Sequence, residues 1–294
     1  MVRRDYRVIK DFAIFICTHG RPTAQYTLSA LREAGYTGMI FLVIDDEDET
    51  ECEYIFRYSG VNMYDAELLK FCKQEIIDSV DTGVQHEKRK AILYAKCACE
   101  IFAKLMKLKA FIIADDDLLG FRYRYEEDGH LKSLPITSGL DAIIENHVDF
   151  MMDNNICAMS FGTSQMFMGG ILSAEKKGEN RIPFNFVFRN ASIPFSWRSE
   201  IYEDSISALR EGQIGKYMLQ VPLVQQNMKP LYAGADGGMT ELYTNVSQFE
   251  KVFPVIKYLP SCSKIVAGKY CMIYSILKEH SVPKLISSSY RNAC

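Results

Sequence analysis

Four short apolar runs stand out along the chain, and each gives way to polar residues within one or two positions. They are Phe12–Cys17 (FAIFIC), Met39–Ile44 (MIFLVI), Ala110–Ala114 (AFIIA) and Ile156–Phe161 (ICAMSF). Runs of this length without polar alternation predict strands buried on both faces. Between the first two, Thr23–Ala34 has helical spacing and is closed by Gly35, so strand, helix and strand form one βαβ unit and a parallel sheet is expected. A long helix is predicted from about Gln85 to Leu108, with Ile92, Leu93, Cys97, Ile101, Phe102 and Leu105 on its core stripe. Glu53–Lys73 reads as helix then loop, and Gln74–Val80 as a third strand.

Beyond Phe121 the texture is more varied. Phe121–Tyr125 alternates aromatic and basic residues as an edge strand or ribbon would, and Thr137–Asn154 is a predicted helix capped by Thr137 or Ser138. Gly162–Ile193, with a charged turn at Glu175–Asn180 and an extended Phe184–Arg189, suggests a β-hairpin leaving the main layer. Trp197–Asp204 leads into a helix ending at Gly212, Lys216–Val221 is a strand, and Ala233–Gly238 is a glycine-rich loop suited to close approach of a ligand. The remainder reads as helices.

Composition narrows the class. With 294 residues and 48% hydrophobic content, the chain can bury a substantial core without disulfides. No apolar run approaches membrane-spanning length, and the opening MVRRDYRVIKDF lacks the apolar core of a signal peptide, so a soluble, cytoplasmic protein without membrane contact is expected. The nine cysteines form no CxxC pair and are expected to be reduced thiols. The net charge of −3 argues against a nucleic-acid partner, but its distribution is uneven. Asp45–Glu53 is strongly acidic, whereas 250–294 carries seven Lys or Arg against two acids, interleaved with Phe253, Tyr258, Tyr270, Tyr274 and Tyr290. Such a segment suits a phosphate backbone or a solvated helix face.

The chemistry concentrates at Asp115-Asp116-Asp117, where the third of the buried runs stops. In extended chain Asp115 and Asp117 point to one side and Asp116 to the other. Two carboxylates on one side suit Mg²⁺ or Mn²⁺, which take oxygen ligands and complete their shell with substrate phosphate. A solvated loop in which Asp117 caps the next turn is the alternative. Thr18–Arg21 and Asp45-Asp46 end neighbouring strands, so all these polar residues collect on the carboxyl rim of the sheet, where open α/β folds bind ligands. Arg89, at the start of the long helix, could balance the aspartates or meet a phosphate; a solvated Lys88-Arg89-Lys90 cluster is the other reading. Glu203 and Asp204 open a later helix, either as dipole-favoured acids or as a base facing an acceptor.

Taken in order, the Thr18-His19-Gly20-Arg21 turn, the acidic end of the second strand, the arginine before the long helix, the DxD at Asp115 and Asp117 and the Glu203-Asp204 pair resemble a glycosyltransferase of the GT-A fold. More narrowly, the layout resembles the phage glycosyltransferases encoded beside thymine or cytosine oxygenases, which decorate hydroxymethylated pyrimidines in DNA. The resemblance implies an α/β, Rossmann-like GT-A fold: a mixed, mainly parallel sheet flanked by helices, with a β-hairpin excursion and a helical C-terminal region. It implies a catalytic domain over 1–245, with a nucleotide-sugar half at about 10–120 and an acceptor half at about 121–245, and a basic, aromatic extension over 246–294. Thr18 and Arg21 would flank the nucleotide, Asp45 or Asp46 would meet base or ribose, Arg89 the diphosphate and Asp116 the ribose. Asp115 and Asp117 would hold Mn²⁺ or Mg²⁺, with His280 as a late metal ligand. Asp204, with Glu203 in reserve, would face the acceptor hydroxyl, as base in an inverting transfer or as an orienting acid in a retaining one. The implied partners are a UDP-sugar donor and DNA bearing 5-hydroxymethylcytosine or 5-hydroxymethyluracil, in the cytoplasm of an infected bacterium.

Rival readings remain at this level. A nucleotidyltransferase would also use carboxylates and a divalent ion, but no glycine-rich, lysine-bearing phosphate loop lies near Thr18. A GT-A enzyme acting on a glycan or protein, or a non-catalytic nucleic-acid-binding protein using the basic C-terminal segment, would fit parts of the same pattern.

Overall fold

The structure is a computed structural model and describes residues 11–58, 65–80, 92–170, 182–229, 247–269 and 272–276. Its centre is a nine-stranded mixed sheet of order β3-β2-β1-β4-β8-β7-β9-β5-β6. The strands are β1 (Phe12–Cys17), β2 (Ile40–Asp45), β3 (Glu67–Phe71), β4 (Ala110–Asp115), β5 (Leu118–Glu127), β6 (His130–Pro135), β7 (Ala158–Gly162), β8 (Phe186–Asn190) and β9 (Met218–Met228). β3, β2, β1 and β4 run parallel, with Cys17 opposite Asp115 and Val43, so three strands end on one rim as the sequence predicts. The helices are α1 (Tyr26–Glu33), α2 (Glu51–Tyr58), α3 (Lys73–Ser79), α4 (Ile92–Leu105), α5 (Leu140–Asp153), α6 (Glu203–Gln213) and α7 (Gln248–Tyr258).

Strand alternation divides the core. Ile14, Ile16, Ile112 and Ala114 pack on one face against Leu28 and Leu31 of α1 and Leu140, Ile144 and Met151 of α5. Ala13, Phe15, Phe111 and Ile113 face the other way, toward Leu93, Tyr94 and Cys99 of α4 and Trp197. Both faces being covered is why these strands read as unbroken apolar runs. Phe15 stacks on Phe41 at 5.6 Å and meets Phe111 edge-on at 5.8 Å, so its truncation to Ala would cost about 3–5 kcal/mol.

Several elements differ from the sequence prediction. The third strand is Glu67–Phe71, and Gln74–Val80 lies largely in α3, because the Asp46 carboxylate accepts the Lys73 N–H at 3.0 Å and starts a helix there. α5 begins after Thr137 and Ser138, at Gly139, with no side-chain cap. Gly139 has φ +77° and lies so close to Gly35 that a Cβ there would come within 3.0 Å of its nitrogen; the Leu140 N–H donates to the Ala34 carbonyl at 3.1 Å. Contact between these two backbones, rather than a hydroxyl cap, sets the start of the helix.

Phe184–Arg189 is not a hairpin excursion. β8 lies inside the sheet, antiparallel to both β4 and β7. Phe186, Val187 and Phe188 are buried, and the fully buried Arg189 is neutralised by Glu100 at 2.8 Å and accepted by the carbonyls of Cys157 and Ile193. Phe121–Tyr125 falls within β5, which has β9 on one side and β6 on the other, so β6 forms the edge. Among the described residues beyond 245, helix is confined to α7, whose Val255, with Leu259 just after it, packs against Ile206 and Leu209 of α6. An antiparallel hairpin, β10 (Ser263–Ala267) and β11 (Met272–Ile276), follows it. Val266, Ile273 and Ile276 are β-branched, which favours strand over helix there. Among the described residues, no helix is long and apolar enough to cross a membrane.

Candidate functional site

The rim formed by β1, β2 and β4 is held by a dense hydrogen-bond network. Thr18 Oγ1 donates to Asp116 Oδ2 at 2.7 Å, receives the Gln25 amide at 2.8 Å and lies 2.9 Å from the Tyr54 hydroxyl. The Tyr54 oxygen also accepts the Arg21 N–H at 2.9 Å, and Asp48 accepts the Gly20 N–H at 2.8 Å. Arg21 Nη1 reaches Asp116 Oδ1 at 3.0 Å. The Thr18–Gln25 turn is therefore fixed from below by α2 and from the side by β4.

Thr18, Arg21 and Asp116 come together as one unit. Asp45 and Asp46 end the adjacent strand but are engaged elsewhere: Asp45 lies 3.0 Å from His19 Nδ1 and 3.9 Å from Lys73, and Asp46 starts α3. Against the cost of its burial, the hydrogen bond and charge of His19 hold the Asp45 carboxyl below its usual range, and the same bond raises His19.

On the opposite face a second cluster surrounds Asp115. Lys96 of α4 is fully buried, with Nζ 2.8 Å from Glu203 and 2.7 Å from Asp204, and it lies 5.1 Å from the Trp197 ring centre. Glu203 and Asp204 are the first two residues of α6, as predicted. The segment before them is tightly turned, with Ser199 at φ 71° and Tyr202 at φ 58°. It is held by the Arg198 N–H donating to Ser207 Oγ at 2.8 Å and Ser199 Oγ donating to the Ile201 carbonyl at 2.8 Å. Left-handed backbone at two non-glycine residues is a cost that a site commonly bears.

The electrostatics of this cluster are unbalanced. Burial raises Asp115 well above the carboxylate range; Lys96 pulls it down, while Asp204, Asp117 and Glu203 push it further up. Burial, followed by the charge of Asp116, raises Asp117. Burial likewise brings Asp204 up to about 6, against the pull of Lys96 and with the push of Glu203. Burial opposes the charge on Lys96, but Asp204, Glu203 and Asp115 outweigh it and keep the ammonium protonated.

One oxygen of Asp115 and one of Asp117 are buried without any hydrogen-bond partner. Orphaned carboxylate oxygens, costly in a protein interior, are what a hard divalent cation would satisfy. Among the described residues, no three His, Cys, Asp or Glu side chains converge on a point, so such a cation would take the rest of its shell from other oxygens. Arg89, His280 and the Ala233–Gly238 loop lie outside the described residues.

Sequence reasoning missed Lys96, Tyr54 and Asp48. The predicted core stripe of α4 misses Lys96 because it is rotated from the true one: Ile101 and Leu105 are exposed, and the buried face runs through Leu93, Lys96, Cys99 and Ala103. Tyr54 and Asp48 act through loop contacts that no spacing rule indicates. Compared with known families, residues 12–228 match the family model described as TET-associated glycosyltransferase. No curated protein matches the chain.

Proposed function

The chain belongs to the TET-associated glycosyltransferase family and is an enzyme that transfers sugar; from that premise we propose that it moves the sugar of a UDP-sugar, with Mn²⁺ or Mg²⁺, to a hydroxymethylated pyrimidine in phage DNA. The observation that carries the metal part of this reading is the pair of buried, partnerless oxygens on Asp115 and Asp117. The family description supports a base hydroxylated by an associated oxygenase as the acceptor. The reaction would run in the cytoplasm of the infected cell.

Each residue has a role that its surroundings suit. Asp115 and Asp117 would hold the cation, whose charge offsets the negative charge gathering on the departing diphosphate. Arg21, braced with Thr18 on Asp116, would present a fixed guanidinium to nucleotide or diphosphate oxygens. Asp204, with a pKa near 6, is ionised at neutral pH and still basic enough to accept the proton of the acceptor hydroxyl. As that oxygen bonds to the anomeric carbon, the bond from carbon to diphosphate breaks and UDP leaves with the electron pair. Lys96 keeps Glu203 and Asp204 from repelling each other out of position.

The direct test is transfer from a panel of UDP-sugars to hydroxymethylated and unmodified duplexes, with Mn²⁺ and with chelator. The expected outcome is sugar added only to the hydroxymethylated duplex and only with metal. Transfer to glycan or protein acceptors instead would overturn the acceptor assignment, and full turnover in chelator would overturn the metal assignment.

A further inference from the structure

The alternation Arg122-Tyr123-Arg124-Tyr125 along β5 has no part in the chemistry above. Phe121 packs with α1 and α5, so strand alternation sends Arg122 and Arg124 to the opposite face. Phe111 and Ile113 face α4 on that same side, and Asp115 continues their register. The two guanidinium groups therefore share a side of the sheet with the candidate site.

Their partners are all neutral. Arg124 lies 4.7 Å over the Phe167 ring, and its Nε donates to Gln225 Oε1 at 2.6 Å; the Gln225 amide donates in turn to Asn227 Oδ1 at 2.7 Å. Arg122 Nε donates to Ser133 Oγ at 3.0 Å. The fully buried cations are treated differently: Lys73 is paired with Glu47, Lys96 with Glu203 and Asp204, and Arg189 with Glu100. Among the described residues, no carboxylate is within ion-pair distance of Arg122 or Arg124. Burial, and then the charge of Arg122 two residues away on the same face of β5, bring the Arg124 pKa down. The aromatic stack and amide chain hold the Arg124 fork in a fixed direction, as bidentate recognition of phosphate requires.

The placement selects among anions. Leu118, next to Asp117, pairs with Met228 at the near end of the β5–β9 ladder, and Arg124 is six residues further along. One of these residues is taken up by the bulge after Leu118, so at about 3.3 Å per rung the separation is roughly 17 Å, too far for a diphosphate held at Asp117 to reach Arg124. A polymer with a phosphate every 3.4 Å of axis per strand spans that gap in about five steps.

We propose that Arg122 and Arg124 bind the phosphate backbone of the acceptor polynucleotide and hold it on the flank of the site while the target hydroxyl is presented to Asp204. This rests on the DNA acceptor proposed above. The test is anisotropy of a labelled hydroxymethylated duplex over a salt series, using the full chain as wild type, Arg122→Gln/Arg124→Gln and Arg122→Lys/Arg124→Lys. Each phosphate contact contributes a slope of about 0.9 in log affinity against log salt, so the Gln pair should lower the slope by close to two and weaken low-salt binding about tenfold or more. The Lys pair, keeping both charges, should hold the wild-type slope. A Gln pair with wild-type affinity and slope, while wild type still glycosylates the duplex, would overturn this inference and leave the acceptor reading standing. A wild type that transfers sugar to another acceptor and binds no duplex at any salt would overturn both.

Discussion

Lys96 offsets the crowded acids Glu203, Asp204 and Asp115 from one buried position. It lies between two adjacent acids in a place without solvent, so replacing it by Met leaves Glu203 and Asp204 facing each other uncompensated. Breaking a buried pair in this way costs about 3–5 kcal/mol, and urea denaturation of Lys96→Met should report a loss of that order. Asp204 gives a pH prediction. Its folded pKa of about 6 is above the ordinary 3.8, so the folded state holds the proton longer. Its contribution to stability is therefore present below about pH 4 and is lost as pH rises to about 6, and the basic form accumulates over the same interval. The kcat/KM for transfer should rise through about pH 6, and Asp204→Asn should be slow at every pH, with that limb absent. Asp115 has the same sign, because burial raises it and disfavours its carboxylate form in the metal-free fold. Asp115→Asn should therefore melt no lower than wild type at neutral pH in chelator, as judged by calorimetry.

At the level of elements, what positions the Thr18–Gln25 turn is α2, through one phenol. Tyr54→Phe removes the oxygen that accepts the Arg21 N–H and touches Thr18, leaving a donor of the turn unsatisfied. Initial-rate kinetics should show a raised donor KM with a smaller change in kcat, and melts should show a loss of about 1–2 kcal/mol. The elements most legible in the sequence were those whose environment is uniform. β1 was readable to the residue and β2 and β4 nearly so, because both faces of each are covered and every position is apolar save the aspartates that close β2 and β4. Gln74–Val80 reads locally as a strand, whereas the helix found there is set by a carboxylate 27 residues earlier, which local pattern does not show. β8 was read as leaving the layer, since local glycines and charges suggest a hairpin; its true neighbours, β4 and β7, come from distant parts of the chain.

Across the whole molecule, the parallel half of the sheet builds the candidate site by bringing three strand ends to one rim, and that much followed from the βαβ pattern alone. The division of labour around Asp115-Asp116-Asp117 was legible in the alternation of side chains: Asp116 turns to Thr18 and Arg21, and Asp115 to the side of Lys96 and α6. What the pattern could not supply was the identity of the cation on that second side, because it depends on how α4 and α6 cross the sheet. The family match over 12–228 covers the whole of this arrangement, from β1 to the end of β9. The most direct test of the central claim is calorimetric titration of UDP into the wild-type chain and Asp117→Asn, each with Mn²⁺ and with chelator. The expected result is binding by wild type that requires Mn²⁺ and is lost in Asp117→Asn. Equal UDP affinity in chelator, or metal-dependent binding unchanged by the substitution, would contradict the claim that these carboxylates hold a cation against the donor diphosphate.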